Sequence, residues 1–264
     1  MKLSIKHTTR YDYDAPVDYA LQQVRLTPAN NRQQTVESWD IAIDGGRCEL
    51  TFNDQYKNPT MMVSIDQGGS SLTLTASGEV ETHDTSGVLG KVYGNAPLWH
   101  FVQPTDLTKP GRGIRKLGRM VKQDDILASL HDLSAEIAKQ VTYTTGVTYA
   151  ATTAEEALAG GGGVCQDHAQ IFISAVRSAG VPARYVSGYL MMNNRVEQDA
   201  SHAWAEAHVD GLGWVGFDIS NGISPDERYV RIATGRDYRD AAPISGVRRG
   251  PAKESMIVSL QVQQ

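Results

Sequence analysis

The sequence predicts an α+β fold: a β-rich N-terminal part, similar to an antiparallel β-sandwich, followed by helices packed on an antiparallel sheet. Three observations support this prediction. Up to about residue 90, short stretches rich in β-branched or aromatic residues, such as KLSIKHTTRY and SLTLTASGEVET, are separated by Gly, Asn and Asp. Two stretches with helical spacing follow, at residues 124–140 and after Cys165. Three strand-like runs come next: ARYVSGYL, SHAWAEAHV and WVGFDIS.

The change from strand-like to helical patterns predicts two domains. We place the β-rich domain at residues 1–95 and the second domain at residues 96–264. Residues 93–112 are rich in Gly, Pro and Asn, which indicates a connector.

The helices of the second domain are predicted from local signals. Apolar residues recur at helical spacing in DDILASLHDLSAEIAKQ, and Thr153 with Glu156 forms the pattern of a capping box. A further helix starts at or beside Cys165, presents Ile171 and Phe172 on one face, and ends before Gly180.

Composition limits the classes of partner. The 264 residues are 41% hydrophobic and 21% charged, as in ordinary globular proteins, and the formal charge of −5 gives no global reason to expect nucleic acid. No apolar run approaches the ~20 residues that span a bilayer, and the alternating N-terminus does not resemble a secretory signal. We therefore predict a cytoplasmic protein without a nucleic-acid or membrane partner. Two cysteines exclude a disulfide framework and a four-cysteine zinc site.

Cys165 follows four glycines in GGGGVCQDHAQIF and lies at the predicted helix start. A helix N-terminus favours the thiolate, which is the nucleophilic form, and its free amides are suited to bind an oxyanion. The glycines are expected to leave room for a substrate. The alternative is a buried cysteine that acts as a small hydrophobic residue, but the flanking polar residues argue against it.

A base for this nucleophile is available in SHAWAEAHVDGLGWVGFDIS. If DGLG is a hairpin turn, His202 at the start of one strand lies near Asp218 at the end of the next. A strict two-residue turn sets Asp218 opposite Ala205, so contact with His202 requires a bulge or a longer loop. A carboxylate that orients an imidazole beside a thiol is the arrangement of a catalytic triad.

Long motifs of the chain resemble the transglutaminase-like superfamily. GGGVCQDHAQIFISAVRSAGVPARYVSGYL and SHAWAEAHVDGLGWVGFDISNG resemble its core, which implies a papain-like catalytic domain. LSIKHTTRYDYDAPVDYALQQVRLTP resembles the N-terminal domain of bacterial members, and RYVRIATGRDYRDAAPISGVRRG resembles their C-terminal signature.

The resemblance implies a reaction and the residues that perform it. Cys165 matches the nucleophile, His202 the general base and Asp218 the residue that orients the base, for acyl transfer through a thioester. The implied activity is hydrolysis of a peptide or amide bond. Transamidation to an amine is the first alternative, and a non-catalytic interaction scaffold is the second. The animal enzymes use calcium, but no clustered-carboxylate loop is present here, so we predict no metal and no cofactor.

The remaining candidates are weaker. We assign substrate binding to four residues around the predicted cleft: Tyr149, Trp204, Asp237 and Tyr238. For Trp204 the alternative is packing between sheet and helix, which we favour slightly. For the polar segment GRDYRDAAP the alternative is a solvent-exposed loop held by ion pairs. Tyr143 or Tyr149 is a candidate second oxyanion donor.

Other chemistries also have candidates. A papain-type arrangement has Asn221 as its third residue, although a turn is the better interpretation of SNG. Cys165, His168, His202 and His208 are of residue types that can bind zinc, but His202 and His208 lie too far apart along one strand to share an ion. For His168 we expect a solvent-exposed position on the helix surface. For Asp167 we expect capping of the helix start.

Overall fold

The structure is a computed structural model that describes residues 1–91, 95–192, 196–198 and 200–264. Tyr93, in the predicted connector, lies outside the described residues. The strands are β1 (Lys2–Tyr13), β2 (Tyr19–Val24), β3 (Gln34–Asp44), β4 (Gly46–Asn53), β5 (Pro59–Ile65), β6 (Ser71–Thr82), β7 (Val88–Gly90), β8 (Thr142–Tyr143), β9 (Gly162–Gly163), β10 (Ala183–Leu190), β11 (Glu197–Gln198), β12 (His202–Val209), β13 (Gly213–Phe217), β14 (Tyr229–Gly235), β15 (Ile244–Arg249) and β16 (Glu254–Gln263). The helices are α1 (Arg112–Gly118), α2 (Ile126–Gln140), α3 (Ala154–Gly160), α4 (Cys165–Ser178) and α5 (Tyr238–Ala241).

Two antiparallel sheets are formed mainly by the N-terminal strands. One has the order β11-β16-β1-β6-β3 and the other the order β15-β2-β5-β4. Along β1 every second side chain is buried, as expected for a strand with one face toward a core. Residues of both sheets, among them Leu3, Val24, Val63 and Leu260, belong to one apolar cluster.

A third antiparallel sheet, β14-β10-β12-β13-β7, carries the predicted site. Helix α4 packs on it through the apolar face that the sequence predicts, with Ile171 and Phe172 fully buried. Tyr189 of β10 and Val230 of β14 instead join the core of the N-terminal sheets. The sheet is therefore covered on both faces, which explains why all of β10 is buried.

The strand pairings do not follow the predicted domain boundary at residue 95. Strand β7 lies in the sheet of the second part, where it pairs with β13. Strands β15 and β16, from the C-terminal end, return to pair with β2 and β1. The prediction placed these strands with residues 96–264 because it used sequence neighbourhood, whereas sheets are completed by pairing between distant segments.

Local sequence signals predicted the positions of the helices more accurately than sequence neighbourhood predicted the strand pairings. The Thr153 side chain accepts the Glu156 amide while Glu156 accepts the Thr153 amide, which confirms the capping box at the start of α3. The predicted helices at residues 124–140 and after Cys165 are observed as α2 and α4. None of the helices in the described parts of the chain has both the length and the apolar character needed to cross a bilayer.

Candidate active site

Helix α4 begins at Cys165 because the segment before it is fixed by Asp167. The Asp167 carboxylate accepts the Val164 amide at 2.8 Å and the Thr148 hydroxyl at 2.7 Å. Gly163 permits this approach, since a Cβ at that position would lie 2.7 Å from the carboxylate oxygen. The predicted capping role of Asp167 is confirmed.

Three of the glycines before Cys165 have roles in the fold. Gly161 has φ of +66° and ends α3, and Gly162 and Gly163 form β9, which pairs in parallel with β8. In α4, the first helical bond runs from the backbone N–H of His168 to the carbonyl of Val164. Helix geometry leaves the amides before His168 without an intrahelical acceptor.

His202 and Asp218 are in direct contact. The His202 Nε2–H donates to Asp218 Oδ2 at 2.6 Å, and both side chains are buried. The hairpin loop contains three residues, because Val209 pairs with Gly213. Continuing this register places Asp218 across from Trp204, so that His202 is its diagonal neighbour. The loop is thus longer than two residues, which is one of the two conditions expected for contact between His202 and Asp218.

The Asp218 carboxylate is held by two further side chains. Oδ2 also accepts the Asn221 amide and the Tyr229 hydroxyl, both at 2.7 Å, while Oδ1 accepts the Asn221 backbone N–H at 3.2 Å. A tight turn brings Asn221 back, since the backbones of Asp218 and Ile223 bond to each other in both directions. Asn221 therefore makes the expected turn and also fixes the carboxylate.

The buried pair sets the charge of both partners. Burial alone lowers the pKa of His202, but the hydrogen bond to Asp218 and the interactions with the Cys165 side chain outweigh it and raise the pKa to about 10. Burial raises the pKa of Asp218, but the bonds from His202, Asn221 and Tyr229 lower it below its ordinary value. Both shifts favour an imidazolium beside a carboxylate.

Because Nε2 of His202 is occupied by Asp218, Nδ1 is the nitrogen available to the Cys165 thiol. Cys165 and His202 line the same cavity, whose volume is about 370 Å³. Tyr143, Gln166, Tyr185 and Tyr238 also line it. The arrangement brings a thiol at a helix start, an imidazole and several polar side chains to one cavity.

The four predicted substrate-binding residues do not share one location. Tyr238 lines the cavity, whereas Tyr149 is 78% exposed and outside its lining. Asp237 is buried and caps α5 by accepting the Asp240 amide at 3.3 Å. Trp204 is buried outside the lining, because strand alternation directs it into packing with His202.

Trp204 and Tyr229 form an aromatic support for His202. Their rings lie 6.3 and 5.9 Å from the His202 ring, and that of Trp204 is stacked on it. Gly188 leaves room for Trp204, since a Cβ there would lie 2.6 Å from the indole. These contacts restrict the orientation of the imidazole.

His168 connects the helix that carries Cys165 to the turn that carries Asp218. Its Nε2–H donates to the Val141 carbonyl at 2.9 Å, so Nδ1 accepts the Ser220 hydroxyl at 2.8 Å. Burial lowers the pKa of this imidazole, which favours the neutral form. The expectation of a solvent-exposed His168 is wrong, because the residue is 2% exposed. In the described residues no three His, Cys, Asp or Glu side chains are grouped as a metal site.

Sequence reasoning missed the supports from Tyr229 and His168. Tyr229 belongs to β14, a strand that the sequence analysis did not assign, and reaches Asp218 from across the sheet. His168 carried a signal in its position three residues after Cys165, but its acceptor at Val141 is 27 residues away. Neither contact follows from local spacing.

Two family models match this chain. A model of the transglutaminase-like superfamily matches residues 115–219, and a model of the bacterial transglutaminase-like N-terminal region matches residues 3–81. The chain belongs to the transglutaminase-like superfamily. The prediction of this family from the sequence is confirmed.

Relatives match this superfamily member over nearly its full length. An uncharacterized protein of Mycobacterium leprae is 26% identical over 99% of this chain and 98% of the relative. An uncharacterized protein of Mycobacterium tuberculosis is 28% identical over 98% of this chain and 91% of the relative. A solved structure from Cytophaga hutchinsonii, described as a candidate cysteine protease, superposes with a TM-score of 0.77 at 22% identity, over 100% of this chain and 91% of that chain. This last likeness concerns the fold.

Proposed function

We propose that this protein is a cysteine-dependent hydrolase of peptide or amide bonds. Cys165 is the nucleophile, His202 the general base and acid, and Asp218 the group that orients His202. The observation that carries the proposal is that Cys165, at the start of α4, lines one cavity with His202, which Asp218 holds at 2.6 Å. Superfamily membership supports acyl chemistry at a cysteine.

The reaction follows from the charges of the site. The His202 imidazolium stabilises the thiolate of Cys165, which attacks the carbonyl carbon of the substrate. When the tetrahedral intermediate collapses, the C–N bond breaks, the amine leaves with a proton from His202, and a thioester remains. Water then loses a proton to His202 and attacks the thioester, which releases the acid and restores the Cys165 thiolate beside the His202 imidazolium.

The first turn of α4 supplies a place for the negative oxygen of the intermediate. The Cys165 and Gln166 amides lie there, where helix geometry leaves N–H groups without a helical acceptor. Tyr143 lines the same cavity and is our candidate for the second donor. Tyr149, the other candidate from the sequence, lies outside the lining.

The cavity next to the site favours a peptide as substrate. A second cavity of about 210 Å³ shares Ala200, Ser201 and Tyr238 with the Cys165 cavity, and Tyr11 of β1 and Met256 of β16 line its other side. A chain that extends from Cys165 along this groove would contact the N-terminal sheet. Substrates longer than a single amide are therefore expected to react faster.

The test is acid trapping of the acyl-enzyme. The protein is incubated with a peptide library, quenched in acid and analysed by intact mass, followed by peptide mapping. We expect an acyl adduct on Cys165 and free acid as the product. Cys48, the other cysteine, is exposed on β4 and provides the matched control, because Cys48→Ala should leave the adduct unchanged.

The same experiment with hydroxylamine or a primary amine separates the alternatives. Amine adducts as the main product would replace hydrolysis with transamidation. Absence of both the adduct and the product across the library, together with partner binding that survives Cys165→Ala, would indicate a scaffold and contradict the proposal.

A further inference from the structure

A second pair of cavities is lined by residues of the third sheet, β14-β10-β12-β13-β7, away from the Cys165 site. Their volumes are about 560 and 470 Å³, and they adjoin each other through shared lining residues, including Tyr56, Arg184 and Thr234. Neither shares a lining residue with the Cys165 cavity in the parts of the chain that the structure describes. We call these two spaces the arginine cleft.

The described lining of the arginine cleft is basic. Lys57, Arg184 and Arg231 line the larger cavity, and Lys91, Arg184 and His208 line the smaller one. The described lining residues of both cavities include no Asp or Glu. A cleft with walls of one charge concentrates ligands of the opposite charge.

Two of these cations share one buried carboxylate. Arg184 of β10 pairs with Glu206 of β12 at 2.7 Å, and Arg231 of β14 forms an ion pair with the other oxygen of the same carboxylate. Asp54, a buried acid near the larger cavity, is engaged by Arg25 and Asn58. The cluster of Arg184, Arg231 and Glu206 therefore carries one excess positive charge.

The two guanidinium groups also retain donors without acceptors. Arg184 Nη2 and Arg231 Nε are buried and have no hydrogen-bond partner. Burial lowers the pKa of Arg184 to about 9, and burial together with repulsion from Arg184 lowers the pKa of Arg231. Since buried polar groups are normally paired, these donors indicate a missing acceptor.

Arg177 shows that this fold can satisfy a buried guanidinium without a carboxylate. Its Nε and Nη2 donate to backbone carbonyls at 2.7–3.1 Å, among them those of Phe101 and Ala183, and Nη1 donates to Thr108. Arg184 and Arg231 lack such a set. Unlike Arg177, both share the Glu206 carboxylate and both line the larger cavity.

We propose that the arginine cleft binds the oxyanion of a small molecule, either a carboxylate or a phosphate group. The oxyanion supplies the negative charge that the cluster of Arg184, Arg231 and Glu206 lacks, and it accepts hydrogen bonds from Arg184 and Arg231, which line the cleft. Lys57 and Lys91 attract it from the rim. The cleft is independent of the chemistry proposed for Cys165, so its ligand is a second ligand of the protein.

The test is calorimetric titration of the full chain with inorganic phosphate and, separately, with succinate, against sodium chloride at equal ionic strength. We expect saturable binding of one of the two, which identifies the source of the oxyanion. Arg231→Met removes the excess charge and leaves the Arg184–Glu206 pair, so affinity should fall by about tenfold or more. Lys57 and Lys91 are exposed, and the substitutions Lys57→Gln and Lys91→Gln should each weaken binding by roughly two- to fivefold.

Lys253→Gln is the control, because Lys253 is exposed and lines neither cavity. Absence of saturable binding of either anion to the folded wild type would overturn the proposal. So would equal affinity in the wild type and in every folded variant at Arg231, Lys57 and Lys91. If Arg231→Met does not fold, the two lysine variants still decide the outcome, since they change only exposed side chains.

Discussion

Strand β12 carries two buried charged clusters that differ in completeness. At its start, His202 faces Asp218, whose carboxylate receives hydrogen bonds from His202, Asn221 and Tyr229. Four residues further along, Glu206 faces Arg184 and Arg231, and one nitrogen on each guanidinium has no partner. The first cluster is satisfied within the chain, whereas the second has more donors than acceptors.

The difference suggests how a fold separates a reacting group from a recognition group. A general base requires one fixed orientation, and protein contacts on several sides provide it. A binding site requires unpaired donors that a ligand then pairs. The following variants test this contrast, starting with the largest expected effect.

Cys165→Ala should reduce peptide hydrolysis by about 10⁴-fold or more, because the nucleophile is lost. The fold should be unchanged, since the substitution leaves the contacts between His202 and Asp218 in place. Hydrolysis rates and circular dichroism measure the two effects. Near-normal hydrolysis by this variant, with Cys48→Ala also active, would show that neither cysteine is the nucleophile.

Asp218→Asn should lower turnover by roughly 10²- to 10⁴-fold, because it disturbs the orientation and charge of His202. The hydrogen bond to Asp218 is the main contribution that raises the pKa of His202 to about 10, so the pKa should fall toward its ordinary value of 6.5. An NMR titration of the imidazole measures this fall. A pKa that remains near 10 would contradict the proposed role of Asp218.

Stability gives an independent measure of the same pair. A raised pKa in the folded state means that the imidazolium stabilises the fold below pH 6.5, and that this contribution is lost as the pH rises toward about 10. The wild type should therefore lose unfolding free energy between pH 7 and pH 10. Asp218→Asn should show a smaller loss over that interval, as measured by denaturant titration.

Glu206→Leu should destabilise the protein by about 3–5 kcal/mol, because it leaves two buried guanidinium groups without their carboxylate. Urea unfolding measures the loss. The double variant Glu206→Leu with Arg231→Met should recover part of it, since one unpaired cation is removed. If the double variant is less stable than the single one, the unpaired guanidinium groups are not the cause of the loss.

Tyr229→Phe should have the smallest effect, about a tenfold loss of turnover, because Asp218 keeps its other donors. The same pKa measurement on His202 should show a change smaller than in Asp218→Asn. Tyr149→Phe is the matched control and should leave turnover unchanged, because Tyr149 is exposed and lies outside the cavity. A loss in Tyr149→Phe equal to that in Tyr229→Phe would restore the substrate-binding role first assigned to Tyr149.

Much of the site could be predicted because its parts depend on short spacings. The start of α4 at Cys165 followed from helical periodicity, and the place of His202 at the start of β12 followed from alternation. The supports of Asp218 could not be predicted in the same way. Tyr229 comes from another strand, and the three-residue loop that sets the register depends on turn geometry that the letters DGLG leave open.

The arginine cleft could not be predicted from the sequence either, because its residues come from separate strands. Arg184, Glu206 and Arg231 lie on three different strands and meet only because β10 pairs with both β12 and β14. The pairing of β16 with β1 is of the same kind, since nothing near β16 in the sequence indicates a partner at the N-terminus. Pairings over long sequence separations are a property of the complete sheet.

The place of β1 between β6 and β16 has a consequence for synthesis. A ribosome makes β1 long before β16, so one of the two edges of β1 stays open until residues 254–263 have left the exit tunnel. During that interval the open edge is a template for pairing with other chains. Closure of the N-terminal sheet is therefore a late event, and a chain that is released before β16 should be prone to aggregation and degradation.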